Sequence, residues 1–414
     1  AVQAELNYDD APSGMLYATT QMPTKKGEMV LVTTLTAAQN RVDTRVDWML
    51  EREKPINGIL SFSTLLGKNS DGKLTADVDF NPCDITFGTD RWHISPSRIS
   101  IAPGDIAVGD FAMTAGRQRI AIDGRVSTDS TSTLDLDLRD VNMIAIFETL
   151  DIDKALIGGR ATGRFNARGL LSRTPVITCP DLHVDSISYN YCVLGNAEVR
   201  ADWDNEAQAV MLDADVTGFD KNHSHIYGSI TPAKEELDIN FDANRVPVGF
   251  LKPFMEAFAE DVSGHASGHA HLFGTFKYID LEGDIYADNF GLKVGFTNTW
   301  FYCTDSVKIT PGQILINNAT VRDVNGNTAR LNGRVDHKFF KEPSFDFKVT
   351  DAQNFLSYDV NSKLSPDWYG RIYGNGSAFI SGKPGVVNIN VNMSTAPNST
   401  FTFVLSDRED ADEY

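Results

Sequence analysis

At 414 residues the chain is about twice a typical domain, and its 56 acidic residues against 37 basic ones leave a net charge of −19. That charge repels nucleic acid and anionic lipid surfaces unless basic residues cluster, and no cluster is visible along the sequence. No apolar stretch approaches the ~18 residues of a spanning helix, and "AVQAELNYDD" lacks the basic-then-apolar character of a leader, so the chain reads as a piece whose anchor or address signal lies on other sequence.

Period-two alternation begins early. In "RVDTRVDWML" Val42, Val46, Trp48 and Leu50 share one face, and in "LTADVDF" Leu74, Ala76, Val78 and Phe80 do. "TLDLDLRD" sets Leu134, Leu136 and Leu138 against Asp135, Asp137 and Arg139, and "LDINFDAN" gives Leu237, Ile239 and Phe241 the same arrangement. "SFDFKVT" continues it with Phe345, Phe347 and Val349, and "VNINVNM" with Val387, Ile389, Val391 and Met393. Asn-Gly, Gly-Lys, Ser-Asp-Gly and Pro-Gly signals separate these strands every 8 to 14 residues or so, the rhythm of an antiparallel meander.

A longer period organises the strands. Gly124, Gly228 and Gly333 stand 104 and 105 residues apart, each followed by an acid-bearing strand. A short apolar stretch comes next in each case, "VNMIAIFETL", "VPVGFLKPFMEAFAED" and "AQNFLSYDV", and each is expected to form one or two helical turns. A glycine pair six apart closes each unit (Gly163 with Gly169, Gly268 with Gly274, Gly376 with Gly382), as where a strand bends or backbones approach closely. Trp92 and Trp300 correspond upstream. The repeats run around 80–183, 184–287 and 288–393, which argues for an extended stack in which each unit covers its neighbour's open edge.

Few residues suggest chemistry. In "VRDVNGNTARLNGRV", Asp323, Asn325 and Asn327 surround Gly326 like the start of a calcium loop, yet no acid follows until Asp336, and the equivalent turns of the other units lack these oxygens. A hairpin turn is the expected reading. His265, His269 and His271 in "GHASGHAHLFG" are a weak metal candidate; their counterparts in the other units are Arg160, Arg164 and Asn166, then Tyr373, Ser377 and Phe379, so outward polar residues on a bent strand are expected instead. His223 and His225 read as solvated turn residues. Cys83, Cys179, Cys192 and Cys303 form no CxxC pair and fall at repeat-equivalent steps too far apart to bridge, so free thiols are expected. No GxSxG, HExxH, Walker or GxGxxG motif is present, and the acids that a glycosidase would need alternate along outward strand faces. No enzymatic activity and no cofactor are expected.

The stretch from "DRWHISPSRISIAPGDIAVGDFAM" to "IFETL", and later "VRDVNGNTARLNGRVDHKFFKEPSFDFKVTDAQNFLSYDV" with "YGRIYGNGSAFISGKPGVVNINVNM", resemble the TamB family of cell-envelope proteins in its Bacteroidetes form. The likeness spans about residues 58 to 405 and includes the step Asp323, Gly326, Ala329, Leu331, Gly333, Val335. The resemblance implies a periplasmic protein of the AsmA-like superfamily whose full-length parent is anchored in the inner membrane. It also implies an all-β architecture, an elongated antiparallel sheet curled into a U-shaped, taco-like hydrophobic groove with a few short helical segments. Residues 1–57 would be an N-terminal hairpin part of that groove, and 406–414 an acidic end. TamB proteins pair with an Omp85-class outer-membrane barrel such as TamA through parts absent from this chain.

The expected function is then a non-enzymatic conduit for phospholipid or another amphiphile between inner and outer membranes. Its lining candidates are Leu134, Leu136, Leu138, Leu237, Ile239, Phe241, Phe345, Phe347, Val349, Val387, Ile389 and Val391. Alternate apolar residues in a filled sandwich core would give the same pattern, so lining and core both stand. The alternative function is a periplasmic scaffold or chaperone for outer-membrane protein assembly, and a third is a β-solenoid glycan binder.

Overall fold

The computed structural model describes residues 2–7, 13–24, 27–51, 56–149, 156–256 and 259–405. The acidic end 406–414 lies outside them. The described chain is all-β: 27 strands in one antiparallel sheet, with two short α-helices and two 3₁₀ turns. It divides into two units, Ala1–Tyr191 with Gly195–Asp215, and Cys192–Leu194 with Val216–Tyr414. No described helix is long and apolar enough to cross a membrane.

The first unit contains β1 (Val2–Asn7), β2 (Ser13–Thr24), β3 (Gly27–Ala38), β4 (Arg41–Leu50), β5 (Ile56–Lys68), β6 (Leu74–Phe80), β7 (Cys83–Phe87), β8 (Asp90–Ile94), β9 (Ser97–Ala102), β10 (Asp105–Ala115), β11 (Gln118–Ser127), β12 (Thr133–Asn142), α1 (Met143–Thr149), β13 (Ile157–Arg168) and β14 (Val176–Tyr189). Strands β15 (Cys192–Asp204) and β16 (Ala209–Thr217) carry residues of both units. The second holds β17 (His223–Thr231), β18 (Glu236–Pro247), α2 (Lys252–Met255), β19 (Asp261–Thr275), β20 (Tyr278–Val294), β21 (Thr299–Thr310), β22 (Gln313–Asp323), β23 (Thr328–Lys338), β24 (Lys341–Val360), β25 (Trp368–Lys383), β26 (Val386–Thr395) and β27 (Thr400–Phe403).

Successive strands pair as hairpins almost throughout, because short turns place each strand beside the last. One exception lies between β5 and β10, where two half-length routes run side by side: β5 pairs β6 and β7, while β10 pairs β9 and β8. Another is β25, whose free side is shared by β26 and β27.

Strands that alternate this regularly would be straight were it not for bulges. In seven of them an extra residue breaks the register, and a non-glycine residue there takes φ between 50° and 53°: Asp110, Asp140, Ser186, Arg245, Asn289, Asn318 and Asn354. That conformation costs on the order of 1 kcal/mol and frees a backbone N–H from the ladder. Each freed N–H donates to a side-chain oxygen on the next strand, in turn Asp123, Thr162, Asn196, Ser267, Thr304, Asn332 and Asn375, at 2.7–3.0 Å. Bulges bend a strand and raise its twist, so these positions are where each unit's sheet curves.

The repeat glycines belong to this device. Asp123, Thr162, Ser267, Asn332 and Asn375 each immediately precede Gly124, Gly163, Gly268, Gly333 or Gly376. Gly124 and Gly228 lie at φ +122° and +150°, where a Cβ would collide with the carbonyl oxygens of Thr133 and Asp238. Gly333 has no positive φ; it makes room for the ring of Phe347.

Of the three expected helical stretches two form, as α1 and as the 3₁₀ turn Gly249–Leu251 continuing into α2. The third, "AQNFLSYDV", is strand. Its buried residues Ala352, Phe355 and Leu356 are spaced like one helix face because bulges between Val349/Ala352 and Ala352/Phe355 shift the alternation. His223 and His225 likewise belong to strand β17, with His225 stacked on Tyr227.

Candidate functional site

Antiparallel partners share a face, so the pairing register converts alternation into rows that cross the sheet. In the second unit Ile226 faces Phe241, Phe241 faces Ala270, and Ala270 faces Gly283. The row continues through Ile309, Ile314 and Val335 to Phe345, Gly382 and Val387. Its neighbour starts at Ala243 and Gly268, passes Ile285, Val307, Ile316 and Gly333, and ends in Phe347, Ile380 and Ile389. Every position is aliphatic, aromatic or glycine. The face behind carries charge instead, as in the row Asp242, His269, Asp284, Lys308.

The first unit has a comparable row from Val78 through Ile99, Val108 and Gly124 to Leu134, Ala167 and Ile177. Leu136 faces Ile122 and Phe165; Leu138 faces Ile120 and Gly163.

Accessibility distinguishes an open face from a filled core. Leu134, Leu136, Leu138, Leu237, Phe241, Phe345, Phe347 and Val349 are half-buried, and Ile239 alone of the sequence-predicted lining is buried, at 7% exposure. On terminal strand β26, Val387, Ile389 and Val391 stand 50%, 54% and 57% exposed. Side chains interdigitated between two opposed layers are covered more completely than those of β26. The alternation reading missed Ile285, Val307, Ile309, Ile314 and Ile316, which lie between β18 and β23; the signal for the last four was the same period two in "SVKIT" and "QILIN".

Among the described residues of the second unit a buried cluster forms where β24 runs past the end of β23. Phe355 stacks on Phe301 at 5.4 Å, and with Val321, Ala329 and Ala352 it forms a buried cluster. Asp323 is the hinge pin. Only 3% exposed, it accepts from the backbone N–H groups of Asn325 and Asn327 (both 2.9 Å) through Oδ1, and from Asn327 Nδ2 (2.9 Å) and the Leu356 N–H (2.7 Å) through Oδ2. Four N–H donors satisfy both oxygens of this buried side chain. The calcium-like spelling thus marks a turn that also tethers β24.

Beside this cluster lies a cleft of about 350 Å³ lined by Phe296, Tyr358, Val360, Leu364 and Trp368. The Glu260–Lys293 ion pair (2.7 Å) sits on its wall.

The polar face is held by ion pairs. Arg98 grips Asp79 with two bonds of 2.6 and 2.9 Å, which holds the Asp79 carboxyl below its ordinary range. His269 bonds Asp242 (2.8 Å), and His271 lies between Asp238 (3.0 Å) and Glu282 (3.2 Å). His265 shares their strand face opposite Asp288. Among the described residues no group of three His, Cys, Asp or Glu is arranged to hold a metal. All four cysteines are free, and burial pushes each thiol up, which keeps it protonated.

No family model, curated protein or solved structure matches this chain.

Proposed function

We propose that the chain is a non-enzymatic conduit that holds acyl chains of phospholipid, or of another amphiphile, against the apolar sheet face while the headgroup stays in water. The observation that carries this reading is the pair of uninterrupted apolar rows in the second unit, partly accessible along their length and exposed at β26. Exposed CH₂ groups cost about 0.8 kcal/mol each in water, so such a face recruits lipid tails without a specific pocket. The absence of charge along the rows leaves nothing to arrest a sliding chain. The sequence resemblance to TamB proteins supports the curled groove, a periplasmic setting, an inner-membrane anchor on the parent and an Omp85-class barrel as partner.

Photo-crosslinking tests this. A benzophenone side chain at Ile309 or Ile380 is expected to capture phospholipid when the purified chain is given vesicles, while one at Lys308, on the opposite face, is not. Native mass spectrometry of the same protein is expected to show bound phospholipid. Equal labelling from both faces, or lipid-free protein throughout, sinks the reading. A scaffold for outer-membrane strands is the second reading, favoured by the exposed apolar residues of β26; it predicts crosslinks from Ile389 to protein rather than to lipid.

A further inference from the structure

The hairpin turns on one rim of the second unit are chemically unlike the rest of this acidic chain. They are the turns between β17 and β18, β19 and β20, β21 and β22, β23 and β24, and β25 and β26. Backbone bonds knit them together: the Phe276 N–H donates to Glu235 O (2.7 Å) and the His337 N–H to Gly312 O (2.9 Å). Lys234, Lys277, Lys338, Lys341 and Lys383 lie on this rim with Glu235, Glu236, Glu342, Asp280 and Asp336, the last two already engaged by the turns: Asp280 accepts from the Gly312 N–H (3.2 Å) and Asp336 from Gln313 Nε2 (2.8 Å). In a protein with net charge −19, a rim whose lysines equal its acids, and whose aspartates are already bonded, is less negative than the chain as a whole.

Two of these turns touch. Lys341 Nζ donates to Lys277 O (3.4 Å), and Tyr278 packs on Phe339 with ring centroids 5.1 Å apart. Both lysines stand over the Tyr278 ring, Lys277 at 5.2 Å and Lys341 at 5.7 Å from its centroid. Among the described residues neither they nor Lys338 have a carboxylate partner, whereas the arginines of the strands are mostly paired. Phe276, Tyr278 and Phe340 are exposed beside them. Their neighbours on the strands are ends of the apolar face: Ile279 follows Tyr278, and Val335 and Phe345 flank the Lys338–Lys341 turn.

We propose that this rim docks on an anionic lipid bilayer, the lysines meeting phosphate groups and the aromatic rings entering the headgroup layer. Unpaired lysines recruit a negative surface, each changing affinity by roughly fivefold. Amphipathic rings at the tips of turns suit the boundary between water and acyl chains. This inference goes beyond the conduit reading and does not require it, since a chain can dock without carrying lipid and carry lipid without docking here. The sequence hides the cluster because "FKY" at 276–278 and "HKFFK" at 337–341 are more than fifty residues apart and only the sheet joins them.

Vesicle flotation tests the proposal with the full chain and phosphatidylcholine vesicles, with or without about one third phosphatidylglycerol. Flotation is expected only with the anionic vesicles and is expected to fall at least tenfold as salt rises from about 0.05 to 0.5 M. The variant with Lys277→Glu and Lys341→Glu is expected to lose binding at least tenfold; Lys221→Glu and Lys363→Glu, elsewhere in the unit, are not. Phe340→Trp is expected to show a blue-shifted emission on anionic vesicles, reporting insertion. Equal flotation with neutral vesicles, none with either, or unimpaired binding by the double lysine variant overturns the proposal. So does binding to a soluble polyanion with no blue shift on vesicles, which assigns the lysines to another partner. Photo-crosslinking of lipid at Ile309 is read separately, so loss of docking and loss of lipid capture are distinguishable.

Discussion

Single residues show how much meaning a spelling can hide. Asp323 reads as an ion ligand from its neighbours, yet its four donors are all N–H groups, one of them from β24. Asp323→Asn removes one acceptor from a buried network, and its single amide oxygen serves either the Asn325 and Asn327 backbone N–H groups or the Asn327 Nδ2 and Leu356 N–H, not both pairs. A loss of about 1–3 kcal/mol in unfolding free energy is expected by urea titration, with faster amide exchange at Leu356. Added calcium is expected to leave the wild-type midpoint unchanged; a calcium-dependent rise would restore the ion-site reading. On the polar face, Asp185 (2.9 Å) and Glu198 (2.5 Å) bond the ring of His183 and raise it above its ordinary value of 6.5. A raised cation stabilises the fold below the unfolded-state value and loses that contribution as pH rises through the folded one. The urea midpoint of wild type is therefore expected to exceed that of His183→Gln at pH 5 to 6, with the gap closing at higher pH; a gap that widens with pH would reverse the assignment.

At the scale of strands, the alternation of apolar and acidic residues was sufficient to read "TLDLDLRD" or "SFDFKVT" as half-buried strands, because period two has only one structural solution. The bulges were not legible. The repeat glycines were visible from their spacings, but at Gly124, Gly163, Gly268, Gly333 and Gly376 the polar residue before the glycine carries the interaction, and its partner N–H lies 13 to 22 residues away on another strand. The same bulges made "AQNFLSYDV" look helical. Ser267→Ala leaves the Arg245 N–H without its acceptor, and about 1 kcal/mol of stability is expected to be lost, with exchange at that amide accelerated more than at its neighbours. Gly333→Ala is expected to destabilise by about 1–3 kcal/mol through overpacking against the Phe347 ring, and to be partly rescued when Phe347→Leu removes that ring. Additive losses in the double variant would mean that Gly333 is needed for its backbone rather than for the ring.

Across the whole chain, the candidate lining was legible as residue identities but not as a connected surface. Phe241, Phe345 and Val387 lie far apart in sequence, and nothing in their own segments says that Ile309, Ile314 and Val335 complete one row between them; pairing register alone decides that. Whether such a row serves as a path or as a set of separate binding patches has a kinetic signature. An aspartate placed on an apolar route raises the barrier there by about 3 kcal/mol, roughly a hundredfold in rate. If lipid slides along the rows, the barriers act in series, so Ile285→Asp on β20 and Ile380→Asp on β25 each slow transfer between donor and acceptor vesicles to a similar extent. The double variant is then little slower than either single one, since one dominant barrier already limits the flux. Independent patches give a different result: they act in parallel, each substitution removes only its own share, the losses add, and lipid bound per chain falls with each. Measuring transfer rate and bound lipid on the same three variants separates the cases, and an additive loss of both would replace the conduit with a static lipid-binding surface.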